Sequence, residues 1–460
     1  MQQPIFAKTK NCNDNYASRI VKIDNIRKHP NADKLQITTI DGGNVIVGLD
    51  VKEGDIMVYC PVESALCHGF LSTNNLYEDK EKNIDPAIKG FFNKHGRVRA
   101  INLRGEPSRG FVFPVEHLSK WQPELSFPNP EEFIGQEFDS VNGLAFSRKY
   151  IPFVQKSRSQ KASERQNNRR NKHLQKFDRL VENQFKFHID TASFAKFIHN
   201  IQPDDLIQIT AKWHGTSSIS ACILVNRQLN FWEKCLKKLG VKIIDKEYGD
   251  VVASRTVIKN RFINKNMADS FYEVDVWNTA HQKLLPFLEK GMTLYYEIVG
   301  YLPDTNTFIQ KNHDYGCLPG EFAIRIYRIT FTNPAGAIFE FSAKQVQDWC
   351  KSRGLDAVKE LYYGKAKDIY PDLDTQKHWH ENFLLRLQND QERFYMELDE
   401  PDCQNPVPFE GLVIRKERLG LEVYKLKTNR HYIFETLELD QGELDIETAQ
   451  SLPEENDNEA

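Results

Sequence analysis

Residues 408–427 of the chain, PFEGLVIRKERLGLEVYKLK, contain two short β-rich segments, LVIR and VYKLK, separated by a charged stretch with a glycine. Lys425 and Lys427 lie two residues apart, so both side chains project from the same face of the second predicted strand. Two neighbouring ammonium groups repel each other unless an anion lies between them. Glu410, just before the first segment, carries a carboxylate of the kind that hard divalent cations prefer. This stretch therefore predicts paired strands that hold an anion and a metal.

A segment with an amine nucleophile lies earlier in the chain. Residues 212–216, KWHGT, follow the apolar segment LIQITA and form a KxxG element. The amine of Lys212 can attack the α-phosphorus of a nucleotide once it has lost its proton, which burial and nearby cations favour. Gly215 has no Cβ and lets the backbone pass close to phosphate and ribose. A KxxG element alone is common, so its meaning depends on the other segments.

Two further segments place charged residues between these elements. Arg255, in SRT at residues 254–256, has a planar guanidinium that can clamp an oxyanion or a ribose hydroxyl, although an ordinary surface arginine fits the same pattern. Glu297 lies in LYYEIVG, an otherwise apolar strand that Gly300 ends. A carboxylate among apolar neighbours has to be paired or in contact with a ligand, and both alternatives remain open here.

The remaining pattern predicts an α+β protein with two domains. The early segments SRIVKI, LQITTI, NVIVGL and DIMVYC follow one another without helices, and residues 41–43 mark a hairpin turn between two of them. Such a run predicts a small β-barrel or sandwich. Later, LIQITA, SSISACILV, TLYYEIVG and AIRIYRITF combine with predicted helices from about Ser270 to Lys290 and near Ala343 to Arg353. This second half indicates an α+β domain built on antiparallel sheet.

The N-terminal half also carries arginines that can contact a nucleic acid. Residues 96–110, GRVRAINLRGEPSRG, contain Arg97, Arg99, Arg104 and Arg109. Arg97 and Arg99 share a face if this segment is a strand. A barrel that binds nucleic acid needs such a cationic stripe to meet the backbone charge, whereas the alternative is a solvated outer face of the sheet.

Composition restricts the functional class. The 460 residues include 61 Lys and Arg against 64 Asp and Glu, and the net charge of -3 excludes a protein that wraps nucleic acid with its whole surface. No apolar run reaches the roughly 18 to 20 residues of a membrane span. The start, MQQPIFAKTK, lacks the apolar core of a signal peptide, which predicts a cytoplasmic protein. Eight cysteines occur without a CxxC pair, which indicates free thiols and no structural zinc.

Charge also divides the chain. Residues 148–185 are rich in Lys, Arg, Gln and Asn and predict a basic linker between a domain of residues 1–147 and a domain of residues 186–437. A solvated linker needs no function, and contact with RNA is the alternative. Residues 438–460 are predicted to form an acidic tail that repels phosphate.

The ordered set KWHG, SRT, EIVG, EGLVIR and KLK resembles the motifs of the covalent nucleotidyltransferases, the superfamily of DNA ligases, RNA ligases and mRNA capping enzymes. With HPNADKL, LRGEPSRG and IQKNHDYGC, the chain is similar to the ATP-dependent RNA ligases of the Deinococcus and Naegleria type. The resemblance implies an N-terminal OB-like β-barrel followed by an antiparallel-sheet, ATP-grasp-like nucleotidyltransferase domain. It implies ATP as AMP donor, Mg²⁺ or Mn²⁺, and RNA ends in a nicked duplex or as splinted strands. No membrane or obligate protein partner is expected, and the location is the cytoplasm of a cell or of a host.

The resemblance also implies a role for each motif residue. Lys212 becomes joined to AMP, and His214 helps to pass AMP to the RNA 5′-phosphate unless its imidazole is simply packed. The implied nucleotide-binding residues are Gly215, Arg255, Glu297, Gly300, Lys425 and Lys427; the metal-associated residue is Glu410; the nucleic-acid-binding residues are Arg97, Arg99, Arg104 and Arg109.

Two details of the nucleotide site depart from the family or stay open. Ala211 stands directly before the lysine, where several relatives have glutamate, so an adenine contact through that side chain is absent. A purine needs an apolar platform. In FAIRIYRIT this platform is Phe322, Ile324 or Tyr327, depending on strand register.

Two other functions share some of these features. By family resemblance, a DNA ligase or capping enzyme places a second barrel after the final lysine motif, and only about thirty mostly acidic residues follow Lys427. A tRNA-binding or RNA-binding protein with an inactive ligase-like domain fits HPNADKL, but Lys212, Glu410 and the lysine pair argue against inactivity. Ligation of RNA through lysyl-AMP and an adenylylated RNA end, in nick sealing or RNA repair, is therefore the leading hypothesis.

Overall fold

The structure is a computed structural model that describes residues 4–151, 179–188, 190–255, 257–259, 274–398 and 403–441. Most of the predicted basic linker (residues 152–178), most of the predicted acidic tail (residues 442–460) and Thr256 of the SRT segment lie outside these ranges. Within the described ranges, no helix is both long and apolar enough to cross a membrane.

The N-terminal part is built from short strands around two apolar clusters. The strands are β1 (Phe6–Ala7), β2 (Ser18–Lys22), β3 (Arg27–Lys28), β4 (Leu35–Ile40), β5 (Gly43–Gly48), β6 (Ile56–Cys60), β7 (Ser64–Leu66), β8 (Ala100–Leu103), β9 (Glu106–Arg109), β10 (Phe111–Pro114), β11 (Glu137–Phe138), β12 (Ser140–Val141), β13 (Leu144–Ala145) and β14 (Ser147–Lys149). Two short helices, α1 (His68–Thr73) and α2 (Glu116–Trp121), pack together. Phe70 of α1, Phe113 of β10 and Phe138 of β11 are buried in the shared core.

The hairpin predicted at residues 41–43 is confirmed. β4 and β5 pair from Ile40 and Gly43 outward, so Asp41 and Gly42 are the two turn residues. Both have a positive φ, 48° and 63°, as a type I′ turn requires. The turn touches the C-terminal part of the chain, because Gln388 Nε2 donates a hydrogen bond to the Gly42 carbonyl at 2.9 Å.

The C-terminal part contains longer strands and helices. The strands are β15 (Ala192–Ser193), β16 (Leu206–Lys212), β17 (Thr216–Asn226), β18 (Lys246–Ser254), β19 (Ile258–Lys259), β20 (Met292–Gly300), β21 (Phe322–Thr332), β22 (Ile338–Glu340), β23 (Glu360–Lys365), β24 (Gly411–Lys416) and β25 (Glu422–Lys427). The helices are α3 (Phe231–Lys238), α4 (Val276–Leu284), α5 (Ala343–Lys351), α6 (Trp379–Met396) and α7 (Asn429–Asp440). Single 3₁₀ turns occupy Lys80–Lys82, Pro130–Phe133, Phe194–Lys196, Ile198–Asn200, Leu285–Phe287 and Ala366–Ile369.

These strands form two sheets that meet at the KWHGT segment. One sheet has the order β15–β25–β24–β16–β23 and the other β19–β18–β17–β20–β21–β22. Among the described strand pairs of the two sheets, β15 and β25 run parallel and the rest antiparallel. β16 belongs to the first sheet and ends at Lys212, and β17 belongs to the second sheet and begins at Thr216. Only residues 213–215 connect the two strands. Lys212 therefore lies where the two sheets join.

The helices agree only partly with the sequence pattern. The first residues of the helix expected from about Ser270 to Lys290 lie outside the described ranges, and its described part is α4. This helix begins after Asp275, whose side chain accepts a hydrogen bond from the backbone N–H of Asn278. The expected helix near residues 343–353 is α5. The segments of α3, α6 and α7 were not predicted to be helical, and α7 runs to Asp440, so residues 438–440 of the expected tail are part of a helix. The limits predicted for the two domains stay predictions.

Candidate active site

A cavity of about 1230 Å³ lies between the N-terminal part and the two C-terminal sheets. Nine of the predicted site residues line it: Arg109, Lys212, His214, Gly215, Arg255, Glu297, Glu410, Lys425 and Lys427. The cavity is not lined by the other four predicted site residues, Gly300, Arg97, Arg99 and Arg104. The five motif segments, which are widely separated in sequence, are thus brought together at one place.

Strand register explains why Lys212, Glu410 and Lys427 meet. Gly411, the first residue of β24, lies opposite Lys212 of β16 on one side and opposite Lys427 of β25 on the other. Glu410 precedes Gly411, and its Oε1 atom is 2.8 Å from Lys212 Nζ and 3.5 Å from Lys427 Nζ. Gly411 has a φ of 144°, and a Cβ there would lie 2.1 Å from the Leu426 carbonyl oxygen, so this close crossing requires glycine.

Glu410 is a buried anion surrounded by positive charge. Burial alone would raise the pKa of its carboxyl, but the charges of Lys212 and Lys427 outweigh burial and hold that pKa well below its ordinary value. Lys427 has a second partner, Glu435 of α7, at 2.5 Å. Burial would lower the pKa of Lys427, yet Glu435 and Glu410 raise it well above the ordinary value. The pKa of Glu435 is in turn well below its ordinary range, because Lys427 outweighs its burial. All three groups are therefore charged at neutral pH.

Lys425 has a different environment on the same strand. Its side chain lines the cavity, and burial, together with the charges of Lys427 and Lys212, lowers its pKa from 10.5 to about 7. A proton on this amine is costly while no anion is near. In the lysine pair, Lys427 is thus an ammonium paired with carboxylates, whereas Lys425 is an amine whose protonated form an added anion would stabilise.

Three imidazoles lie around Glu410. His214 Nδ1 is 3.9 Å from Glu410 Oε2, and His431 Nε2 is 3.6 Å from Glu410 Oε1. The ring centroid of His214 is 5.1 Å from that of His431 and 4.8 Å from that of His313. Burial and the neighbouring His214 lower the pKa of His313 to about 4, so this ring is neutral. The backbone N–H of His214 donates to the Tyr315 hydroxyl at 3.0 Å, which fixes the turn after Lys212.

Glu297 and Arg255 reach the cavity from the second sheet. Ser217 Oγ donates a hydrogen bond to Glu297 Oε2 at 3.0 Å, and Ser217 and Glu297 are opposite each other in β17 and β20. Arg255 forms an ion pair with Asp190. Both charged groups are therefore oriented by protein partners at the cavity wall.

Two glycines allow the backbone to approach closely at this wall. A Cβ at Gly215 would lie 2.3 Å from the Ile298 carbonyl oxygen, so the turn after Lys212 lies directly on β20. Gly300 has a φ of 99°, and a Cβ there would lie 2.7 Å from Cys317 Sγ. Gly300 thus shapes the end of β20 without lining the cavity.

Strand register also shows which of the three candidates for a purine platform faces the cavity. Tyr295 pairs with Arg328 and Tyr296 with Ile326, so Tyr327 is the extra residue of a β-bulge. Tyr327 lines the cavity, and its hydroxyl lies 3.2 Å from His188 Nδ1. Phe322 and Ile324 pack against the apolar core of the second sheet instead.

The four arginines do not form one exposed stripe. The Arg97 side chain is 1% exposed and pairs with Glu63 at 2.8 Å and with Asp440 at 3.2 Å, because α7 covers it. A buried guanidinium with two carboxylate partners cannot meet a phosphate backbone, so the nucleic-acid role predicted for Arg97 is corrected to a link between the two parts of the chain. Arg99 is partly exposed and lies 3.4 Å from the same Asp440. Arg104 is exposed, and Arg109 lines the cavity.

α7 supplies functional candidates that the sequence analysis missed. Its N-cap Thr428 accepts a hydrogen bond from the backbone N–H of His431, which places His431 beside Glu410. Glu435, four residues later, pairs with Lys427, and the ring of Tyr432 lies 5.3 Å from the Arg109 guanidinium. The sequence did contain a signal for this arrangement: Thr428 is a typical helix N-cap, and His431 and Glu435 are four residues apart, which places them on one helix face.

Comparisons with known proteins identify the fold. Residues 17–115 match a family model described as an OB-fold domain. An apo structure of a Naegleria gruberi RNA ligase variant matches with a TM-score of 0.51 at 15% identity, covering 90% of this chain and 97% of that chain. Another variant of that ligase, with ATP and Mn, has a TM-score of 0.51 at 14% identity over 92% and 98% of the two chains. No curated protein matches the sequence. The chain is therefore an α+β protein with an N-terminal OB-fold domain and the fold of that RNA ligase, as predicted.

Proposed function

We propose that this protein is an ATP-dependent RNA ligase that joins a 3′-hydroxyl to a 5′-phosphate through a lysyl-AMP and an adenylylated RNA end. The observation that carries the proposal is the position of the Lys212 amine, which lies 2.8 Å from the buried carboxylate of Glu410. Both residues line a cavity that is also lined by the basic residues Lys425, Lys427 and Arg255. An amine nucleophile beside several cations suits attack on a phosphate group. The shared fold with an RNA ligase supports the same conclusion.

In the first step, neutral Lys212 Nζ attacks the α-phosphorus of ATP. A P–N bond forms, the P–O bond to the β-phosphate breaks, and pyrophosphate leaves. Glu410 orients the amine through their 2.8 Å contact, and the cations of β25 stabilise the negative charge that grows on the phosphate oxygens. Lys425 supplies such a cation most effectively after it has taken up a proton.

The next two steps transfer AMP to RNA and then release it. The 5′-phosphate of RNA attacks the lysyl-AMP phosphorus, the P–N bond breaks, and the amine of Lys212 regains a proton. His214 follows Lys212 by two residues and lines the same cavity, so its ring is placed to act in this transfer. The RNA 3′-hydroxyl then attacks the 5′-phosphate and AMP leaves. Arg109 of the OB-fold domain lines the cavity and is a candidate contact for the RNA backbone.

The residues present fit a divalent cation. In the described part of the chain, no hydrogen-bond donor reaches Glu410 Oε2, although this atom is buried. An unpaired carboxylate oxygen is a ligand for Mg²⁺ or Mn²⁺. Glu410 would hold the ion, which supplies neutralisation of phosphate charge when bound. Tyr327 is the proposed platform for the purine, since its ring lines the cavity.

Retention of label on denatured protein tests the proposal. The protein is incubated with α-labelled ATP and Mg²⁺ or Mn²⁺, and the parent is expected to keep amine-linked AMP whose P–N bond resists alkali and is cleaved by acid. Lys212→Ala should lose it, whereas Lys365→Ala, an exposed lysine paired with Asp204, should keep it. Normal labelling of Lys212→Ala would overturn the assignment.

A second assay tests the RNA steps separately. Lys212→Ala is expected to seal a nick whose 5′ end already carries AMP, because that step needs no lysyl adduct. Nicked duplexes with RNA or DNA on the 3′-hydroxyl side then define the substrate. Equal sealing of all-DNA nicks would favour a DNA ligase instead.

A further inference from the structure

We propose that His214, His431 and Glu410 form a binding site for a first-row transition-metal ion, held directly by two imidazoles and occupied without nucleotide. The inference names the metal class of the proposed function and rests on that function for its role in catalysis. The binding site itself is defined by these three side chains.

The distances between donor atoms suit a shared ion. The candidate ligand atoms of the three residues all lie within 4.8 Å of one another, and the two contacts to Glu410 are 3.6 and 3.9 Å. Two ligands about 2.1 Å from one metal lie about 3.4 Å apart at a tetrahedral angle. Small side-chain rotations therefore suffice to bring all three donors onto one ion.

The cluster also has buried donor atoms that lack hydrogen bonds. His431 is 0% exposed, and within the described ranges neither of its ring nitrogens has a hydrogen-bond partner. Its Nε2 atom has only long contacts, 3.4 Å to Glu435 and 3.6 Å to Glu410. Glu410 Oε2 likewise receives no hydrogen bond from any residue of the described ranges. Leaving such groups unpaired is costly, and one metal ion bound by a ring nitrogen of His431 and by Glu410 Oε2 would satisfy two of them.

A third imidazole lies beside the cluster with a defined tautomer. His313 Nδ1 lies 2.7 Å from the Lys311 carbonyl oxygen, which accepts only from a protonated nitrogen. The Nε2 lone pair is then available, and in the described part of the chain this buried atom has no partner. A backbone carbonyl that fixes the outer nitrogen is typical of histidines that ligate metals.

The donor set selects a class of ion. Mg²⁺ prefers oxygen ligands and keeps most of its water, whereas imidazole suits Mn²⁺, Co²⁺ and Zn²⁺. Two or three imidazoles with one carboxylate therefore favour a transition metal. The competing explanation is that His431 contacts Glu410 and Glu435 directly, without any metal.

Spectroscopy on the full-length protein separates these explanations. Protein treated with a chelator is titrated with Co²⁺ in the absence of ATP and RNA, and visible absorption reports ligation. One ion per chain is expected, with little displacement by excess Mg²⁺. Mn²⁺ bound at the same site should show ¹⁴N coupling from imidazole in pulsed electron paramagnetic resonance.

Variants identify the ligands. His431→Gln and His214→Asn should each weaken Co²⁺ binding by at least about tenfold. His95→Gln, an exposed histidine of the OB-fold domain beside Tyr150, should bind as the parent does. Thermal melting first checks that each variant is folded, and Glu410→Gln serves as a third ligand variant if His431→Gln unfolds.

The outcomes also distinguish this inference from the proposed function. Absence of binding without ATP, absence of ¹⁴N coupling, or unchanged binding in folded His431→Gln and His214→Asn would each overturn the metal site. Lys212→Ala should bind Co²⁺ at least as well as the parent, because Lys212 competes for Glu410. Metal binding in a protein that never forms lysyl-AMP would overturn the ligase function and leave the metal site standing.

Discussion

Lys425 is expected to take up a proton when ATP binds. In the free cavity its pKa is lowered to about 7 by burial and by the neighbouring lysines, so the amine is mostly neutral above that pH. We expect the phosphates of bound ATP to bring negative charge next to it and to raise its pKa toward the ordinary 10.5. Between these two values, the complex therefore binds more protons than the free protein.

The size of the uptake follows from the two pKa values. At pH 8 about one tenth of the free Lys425 amines carry the proton and nearly all do in the complex, so about 0.9 proton is taken up per ATP. At pH 6 most of the free amines are already protonated, and the uptake falls to about 0.1. The same shift makes the free energy of unfolding of the free protein rise with pH between about 7 and 10, because the unfolded state binds the extra proton.

Calorimetry measures this uptake directly. Binding of an ATP analogue that cannot transfer AMP is followed at pH 8 in buffers with different ionisation enthalpies, and the slope of binding enthalpy against ionisation enthalpy gives the number of protons. Lys425→Met keeps the length of the side chain and should bind the analogue more weakly, with the uptake abolished. Lys365→Met, on the exposed edge of the same sheet, is the control. An uptake in Lys425→Met equal to that of the parent would refute the reasoning.

Three other substitutions test separate parts of the molecule. His214→Ala should reduce sealing more than formation of lysyl-AMP, and an equal loss of both rates would favour a role common to both steps, such as packing or metal binding. Gly215→Ala should lower the free energy of unfolding by about 1 to 3 kcal/mol in urea denaturation, because its Cβ would lie 2.3 Å from the Ile298 carbonyl oxygen. Arg97→Met should cost about 3 to 5 kcal/mol in the same measurement, since Glu63 loses its buried partner. The salt dependence of RNA binding should stay unchanged in Arg97→Met, and a shallower dependence would restore a phosphate contact to Arg97.

The sequence allowed prediction of those parts of the site that strand periodicity governs. Lys425 and Lys427 share a strand face, and the motif segments lie together, because the order of short motifs carries that information. Periodicity could not say which residue of β21 faces the cavity, since the bulge at Tyr327 shifts the register by one. It also could not distinguish the two lysines, whose different charge states depend on Glu435 and on burial.

Ion pairs across long sequence separations were beyond the sequence analysis. Arg97 and Asp440 are 343 residues apart, and each alone is typical of a solvated surface. The acidic composition of residues 438–460 predicted a tail that repels phosphate, because overall charge was considered without helical spacing. In the structure, Asp440 of this segment belongs to α7 and pairs with Arg97.

The spacing along α7 explains why that helix is acidic. His431 and Glu435 are four residues apart and lie on one face, which meets Glu410 and Lys427. Residues 432, 436 and 440 form the adjacent stripe and meet the OB-fold domain, where Thr436 Oγ1 accepts a hydrogen bond from the Ala100 N–H at 3.1 Å and Asp440 pairs with Arg97. A neutral helix would leave Lys427 and Arg97, both largely buried, short of carboxylate partners. The acidic residues of α7 therefore link β25 to the OB-fold domain.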